Sequence, residues 1–236
     1  MKIKKKIICI IPARSGSKGL KNKNILNLSG KPLIAHTIQY ALSNKKIDKV
    51  IVTTDSKIIA KISNRYGAET PFLRPKNIAG DLSTTEETLK HALLKYEKLN
   101  KTLYDYCIYL SPCDIFRNPE WIDEGIKKMI KNPLLESVFV GYETHKNYWE
   151  LSNGKWKRIK NWMKNYSSRQ VREKIFREDT GLFSISKANL WRKGKRIGNN
   201  VDLIFNHNDL SSVDIHEKKD LRLANLIIDK KIDKTK

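Results

Sequence analysis

Two stretches near the start of the chain, KIICII (6–11) and KVIVTTD (49–55), carry unbroken apolar runs, at 7–11 and 50–52. A strand with one wet face alternates apolar and polar residues, whereas an unbroken apolar run suits a strand covered on both faces of a parallel sheet. The segments between such runs change period. GKPLIAHTIQYALSN (30–44) puts Pro32 at a helix start and Leu33, Ile34, Ile38, Ala41 and Leu42 on one face. A second helical pattern over 56–66 stops at Gly67, a residue suited to a left-handed cap. STTEETLKHALLKYEKL (83–99) opens with Ser83 and Glu86 in capping-box spacing and carries Leu89, Ala92, Leu93 and Tyr96 on its inner stripe. YDYCIYL (104–110) predicts a third strand, Asn118 and Pro119 the opening of the next helix, and SVFVGYE (137–143) a fourth strand. Strand and helix thus alternate from residue 6 to about 143, which predicts an open, mainly parallel α/β sheet in a single domain spanning 1–236.

From 144 to 178 the pattern lapses into a polar, basic and aromatic stretch, read as an arm inserted into that domain. TGLFSIS (180–186) and NVDLIFN (200–206) return to strand character, and EKKDLRLANLIID (217–229) predicts a closing amphipathic helix. Ligands of open α/β sheets sit beyond the carboxyl ends of the strands, so the loop after the first strand, Asp55 and the 111–117 loop are expected to share one edge.

Composition narrows the chemistry only locally. An apolar share of 39% over 236 residues supports a proper core, and Lys plus Arg exceed Asp plus Glu by 47 − 25 = 22. The cations run along the whole chain, as on a solvated Lys-rich surface, so only local clusters inform. Three cysteines without CxxC spacing argue against a disulfide framework or a zinc site and fit a reducing cytoplasm. The apolar run 7–11 is too short for a secretion leader, and no stretch approaches a membrane span.

The densest cluster is IPARSGSKGLKNKNI (11–25), where Gly16 and Gly19 sit among Arg14, Lys18, Lys21 and Lys23 directly after the first strand. A basic glycine turn in that place is built to hold phosphates. It matches neither GxxxxGKS/T nor GxGxxG.

That segment, followed by GKPLIAHTI, resembles the opening of the acylneuraminate cytidylyltransferases, which activate acidic sugars on a nucleotide. VIVTTDSKIIAKISNRYGAETPFLRP (50–75) resembles the family's second strand, acidic turn and FLRP element. SSVDIHEKKDLRLAN (211–225) resembles its aspartate segment before the last helix. The likeness covers most of 6–130 and again 209–226. It implies a GT-A-like, Rossmann-related three-layer sandwich with a mostly parallel sheet, and transfer of CMP from CTP to a nonulosonic 2-keto sugar acid with Mg²⁺ as clamp. Arg14, Lys18, Lys23 and Asn24 would hold the triphosphate, Lys23 stabilising the α-phosphoryl, with Arg14 and Lys23 the catalytic cations. Arg74 and Ser83 would bind the nucleotide, and Asp214 the metal. The 144–178 arm would reach into a partner subunit in a homodimer, with Arg169 and Lys146 meeting the sugar carboxylate.

Two departures from the family pattern stand out. His216 replaces the second acid after Asp214, leaving Asp114 to supply another carboxylate, and Asp214 is also placed to cap the helix near Glu217. In YLSPCDIFRN (109–118), Ser111 stands where the family carries glutamine, so Ser111 and Asp114 become candidates for sugar contacts. An acceptor of another kind, a different sugar acid or a phosphorylated small molecule, is the alternative. A nucleic-acid binder is the rival class, but no recognition-helix, RNP-type or zinc-finger pattern accompanies the charge, so neither nucleic acid nor membrane is expected as partner.

Overall fold

The computed structural model describes residues 4–168 and 170–233. Along the chain run β1 (Ile7–Pro12), the short strands β2 (Asn27–Leu28) and β3 (Lys31–Pro32), α1 (Leu33–Leu42), β4 (Lys49–Thr53) and α2 (Lys57–Arg65). Then come α3 (Thr85–Asn100), β5 (Tyr106–Tyr109), α4 (Trp121–Lys131), β6 (Ser137–Thr144), β7 (Trp149–Ser152), β8 (Lys155–Arg158) and β9 (Ile175–Glu178). The chain closes with β10 (Ser184–Lys187), α5 (Ala188–Arg192), β11 (Val201–Asn206) and α6 (Lys218–Asp233).

The main sheet has the order β11-β6-β10-β5-β1-β4, and β9 pairs with the outer half of β6. β4, β1, β5, β6 and β11 run one way, and β10 and β9 run against them. The unbroken apolar run of β1 is explained by its two faces. Ile7, Cys9 and Ile11 pack in one core with Ile34 and Ile38 of α1, Ile59 of α2 and Ile122 of α4. Ile8 and Ile10 pack in another with Leu89, Leu93 and Tyr96 of α3 and Trp191 of α5. This is the three-layer sandwich. A third cluster, around Leu20, Leu28, Phe116, Ile215 and Ala224, ties α6 beneath the loop that follows β1.

Several boundaries differ from the sequence reading. The capping box of α3 is built by Thr84 and Glu87, each side chain accepting the other's backbone N–H at 3.1 Å. Ser83 and Glu86 share that spacing, but Glu86 turns instead to Arg196 at 3.3 Å. Gly67 does adopt a left-handed φ of 95° after α2. Within the predicted arm, β7 and β8 form a hairpin through Asn153 and Gly154, both at positive φ as a two-residue turn requires. The hairpin pairs only with itself and leaves Trp149 and Trp156 exposed, with Trp162 half-buried beyond it. The last four arm residues, Ile175–Glu178, belong to the main sheet as β9.

Candidate functional site: a phosphate loop beside a second, acidic cavity

Because β1, β4 and β5 are parallel, the loops leaving their carboxyl ends meet at one edge. The loop after β1 is tied down at both ends. The Ser15 backbone N–H and hydroxyl both donate to the Asp55 carboxylate, the former at 2.8 Å. Asn24 donates to the carbonyl of Arg14 at 3.0 Å. Burial pushes the Asp55 carboxyl up, but the two bonds from Ser15, with its own backbone N–H and the charge of Arg74, bring it below its ordinary value. The 111–117 loop is fixed by Arg117, whose guanidinium donates to the carbonyls of Ser111, Gly181 and Leu182 and to the Thr37 hydroxyl.

Between these loops lies an open cleft of about 460 Å³. Arg14, Lys18, Lys23, Asn24, Arg74, Ser83 and Ser111 all line it, together with His216. Lys23 is buried, only 9% exposed, although it belongs to a basic loop. The turn at Asn22 (φ 58°) points the following residues inward, and the Lys23 ammonium lies beside the Cys113 thiol. Burial pushes that thiol up and Lys23 draws it part of the way back.

Arg74 is the most informative of these side chains. The bond from its backbone N–H to the Thr54 carbonyl, 2.7 Å long, carries it to the cleft, where it is 6% exposed. Its Nη1 donates to Thr88 Oγ1 at 3.1 Å, while Nε and Nη2 are buried with no partner among the described residues. A buried donor left unpaired costs about 1–3 kcal/mol, more for a charged group. Burial also lowers the Arg74 pKa, Asp55 opposing and Arg14 reinforcing the change. Across the mouth, Asp81 pairs with Arg14 at 2.9 Å and Lys18 at 3.1 Å, a carboxylate that sequence reasoning missed. It holds the two cations at the rim of the cleft.

Asp114 and Asp214 face a second cavity, of about 340 Å³, lined also by Arg177, Asp179, Thr180, Ser211 and Ser212. An isolated antiparallel bridge between Asp114 and Asp214 forms the ridge between the two spaces. Burial, then the like charge of Asp214, pushes the Asp114 carboxyl above its ordinary range against Arg117 and Ser111. Asp214 Oδ1 is buried without a partner among the described residues, and Oδ2 lies 2.6 Å from His216 Nε2. Asp214 does not cap α6: Asp220 accepts from the backbone N–H groups of His216 and Glu217 instead. No group of three or more potential metal ligands occurs among the described residues. Two adjacent carboxylates, one with an orphaned oxygen, still suit a hard divalent cation that takes its other ligands from phosphate and water. Lys146 is exposed and lines neither cavity. Arg169 lies outside the described residues.

Comparison with known proteins gives the family and the fold. A family model described as "Cytidylyltransferase" matches residues 8–182. An N-acylneuraminate cytidylyltransferase of Escherichia coli is 48% identical over 122 residues, 52% of this chain and 28% of that protein. A CMP-N,N'-diacetyllegionaminic acid synthase of Legionella pneumophila is 41% identical over 122 residues, 52% of each. The chain therefore matches about half or less of these relatives' length. A solved CMP:2-keto-3-deoxy-manno-octonic acid synthetase with CTP shares the fold at a TM-score of 0.70 and 14% identity, covering 96% of this chain and 99% of the other. On the family match over residues 8–182, the chain belongs to the cytidylyltransferase family.

Proposed function

We propose that the chain transfers CMP from CTP to a nonulosonic, sialic-acid-like 2-keto sugar acid, releasing pyrophosphate. The observation that carries the reading is Arg74, a buried guanidinium whose Nε and Nη2 have no partner among the described residues and which lines a basic cleft, a group that asks for acceptor atoms from a ligand. The names of the relatives support cytidine as the base and a sugar acid as acceptor.

In this account Arg14 and Lys18 leave Asp81 for the triphosphate, Arg74 and Ser83 hold the nucleoside end, and Asn24 positions the loop through the Arg14 carbonyl. The acceptor's anomeric oxygen gives its proton to solvent water and bonds to the α-phosphorus while the bond to the pyrophosphate oxygen breaks. Lys23, fixed by its burial, is spared reorganisation as charge builds on the α-phosphoryl oxygens. Asp114 and Asp214 would hold Mg²⁺, which when bound supplies charge neutralisation at the phosphates. Buried free thiols at Cys9 and Cys107 suit a reducing cytoplasm, and no helix among the described residues is long and apolar enough to cross a membrane. The exposed tryptophans of the β7–β8 hairpin suit contact with a second copy, where Lys146 and Arg169 would reach the partner's sugar.

The test is pyrophosphate release with CTP, magnesium and a panel of nonulosonic acids. Wild type is expected to turn over at least one of them, and Lys23→Met to lower kcat about 100-fold or more. Release from no sugar acid, or an unchanged rate in Lys23→Met, would remove the proposal.

A further inference from the structure

Asp81 lines the nucleotide cleft and engages two of the cations that the proposed transfer gives to the triphosphate, so the role assigned to it below rests on that reading. Its Oδ1 lies 2.9 Å from Arg14 Nη1 and its Oδ2 lies 3.1 Å from Lys18 Nζ. Arg14 Nη1 also donates to the Gly80 carbonyl at 2.8 Å, which lays the segment carrying Asp81 across the phosphate loop. A carboxylate offers the two cations what a phosphate offers them, acceptor oxygens with negative charge. The bond from Lys18, with the charges of Lys18 and Arg14, holds the Asp81 carboxyl below its ordinary value, so it meets them as an anion at neutral pH.

The contact is of a kind that exchanges easily. The Lys18 side chain is 79% exposed, and ion pairs open to water are weak and screened by salt. Leu82, next to Asp81, is 98% exposed, so moving this part of the segment gives up little buried apolar surface. Lys23 and Arg74 line the same cleft but are buried, and Asp81 pairs with neither. Asp81 therefore covers the outer cations alone. With Lys23 at the α-phosphoryl group, that outer pair falls to the β- and γ-phosphates, which leave together as pyrophosphate.

We propose that Asp81 is an internal competitor for the pyrophosphate end of the ligand: it yields Arg14 and Lys18 to the β- and γ-phosphates as CTP binds and reclaims them as pyrophosphate leaves. The competition weakens pyrophosphate and CTP alike. It spares CMP, whose single phosphate stays with Lys23.

Calorimetric titrations of inorganic pyrophosphate and of CMP, without magnesium and below the unfolding midpoints of the proteins compared, test the role. Asp81→Asn keeps the size of the side chain and removes its charge. It should tighten pyrophosphate about 3–10-fold while CMP stays within about 2-fold of wild type. Asp81→Glu, which keeps the charge, should bind pyrophosphate more weakly than Asp81→Asn. Unchanged or weaker pyrophosphate binding in Asp81→Asn would overturn the competitor role. A matching gain for CMP would overturn it as well, since the substitution would then act through the field of the whole cleft. Both results leave the proposed function standing, because that is read from turnover of the sugar acids. Pyrophosphate bound by neither wild type nor Asp81→Asn would sink the two together.

Discussion

At the Asp55 carboxyl, bonds from Ser15 hold the pKa below 3.8 in the folded protein despite burial. A depressed carboxylate contributes stability above its unfolded pKa and loses it as pH falls through the folded value. Asp55→Ala should therefore unfold a few degrees below wild type at pH 7, and the gap should close as the pH drops past 3.8. Thermal melts across that range read it directly, and a gap of constant size would show that the carboxylate charge is not its source. Lys23 makes a different point at the same scale. Its place in the cleft was legible from the basic turn, but its burial was not, because that depends on the left-handed Asn22 and on Cys113, which arrives from a distant loop.

Between elements, the approach of the phosphate loop to the segment before α6 turns on Gly19. A Cβ there would sit 2.7 Å from the His216 carbonyl oxygen, a backbone atom with little freedom to move, whereas a Cβ at Gly16 would meet nothing within 4 Å. Gly19→Ala should lower the unfolding midpoint by about 3–10 °C and Gly16→Ala should leave it unchanged, as differential scanning fluorimetry would record. Equal melting of the two variants would mean that the loop does not lean on His216. The helices and the two-faced strand β1 were readable because period and cap chemistry are local. The box on α3 was misplaced by one residue because STTEE satisfies its spacing twice, and only the pull of Arg196 on Glu86 decides between the two. Arg177 and Asp179, which pair at 2.7 and 2.9 Å and line the second cavity with Asp114, were invisible for a related reason: their place there depends on the pairing of β9 with β6, which no local pattern encodes.

Across the whole molecule, an excess of 22 positive charges is spread over the surface, and only a few of the cations converge on the cleft. Binding of random oligonucleotides, followed by fluorescence anisotropy, should appear at about 20 mM salt and fade by about 150 mM, as counterion release dictates for diffuse charge. Affinity that persisted at the higher salt would favour a dedicated nucleic-acid surface.

The central claim, that the edge beyond β1 and β4 is a nucleotide seat built around Arg74, is tested most directly by calorimetric titration of CTP with magnesium. Wild type should bind one CTP per chain, and Arg74→Leu, which leaves the phosphate loop untouched, should weaken binding about 10–100-fold. Equal affinity in the two proteins would contradict the account.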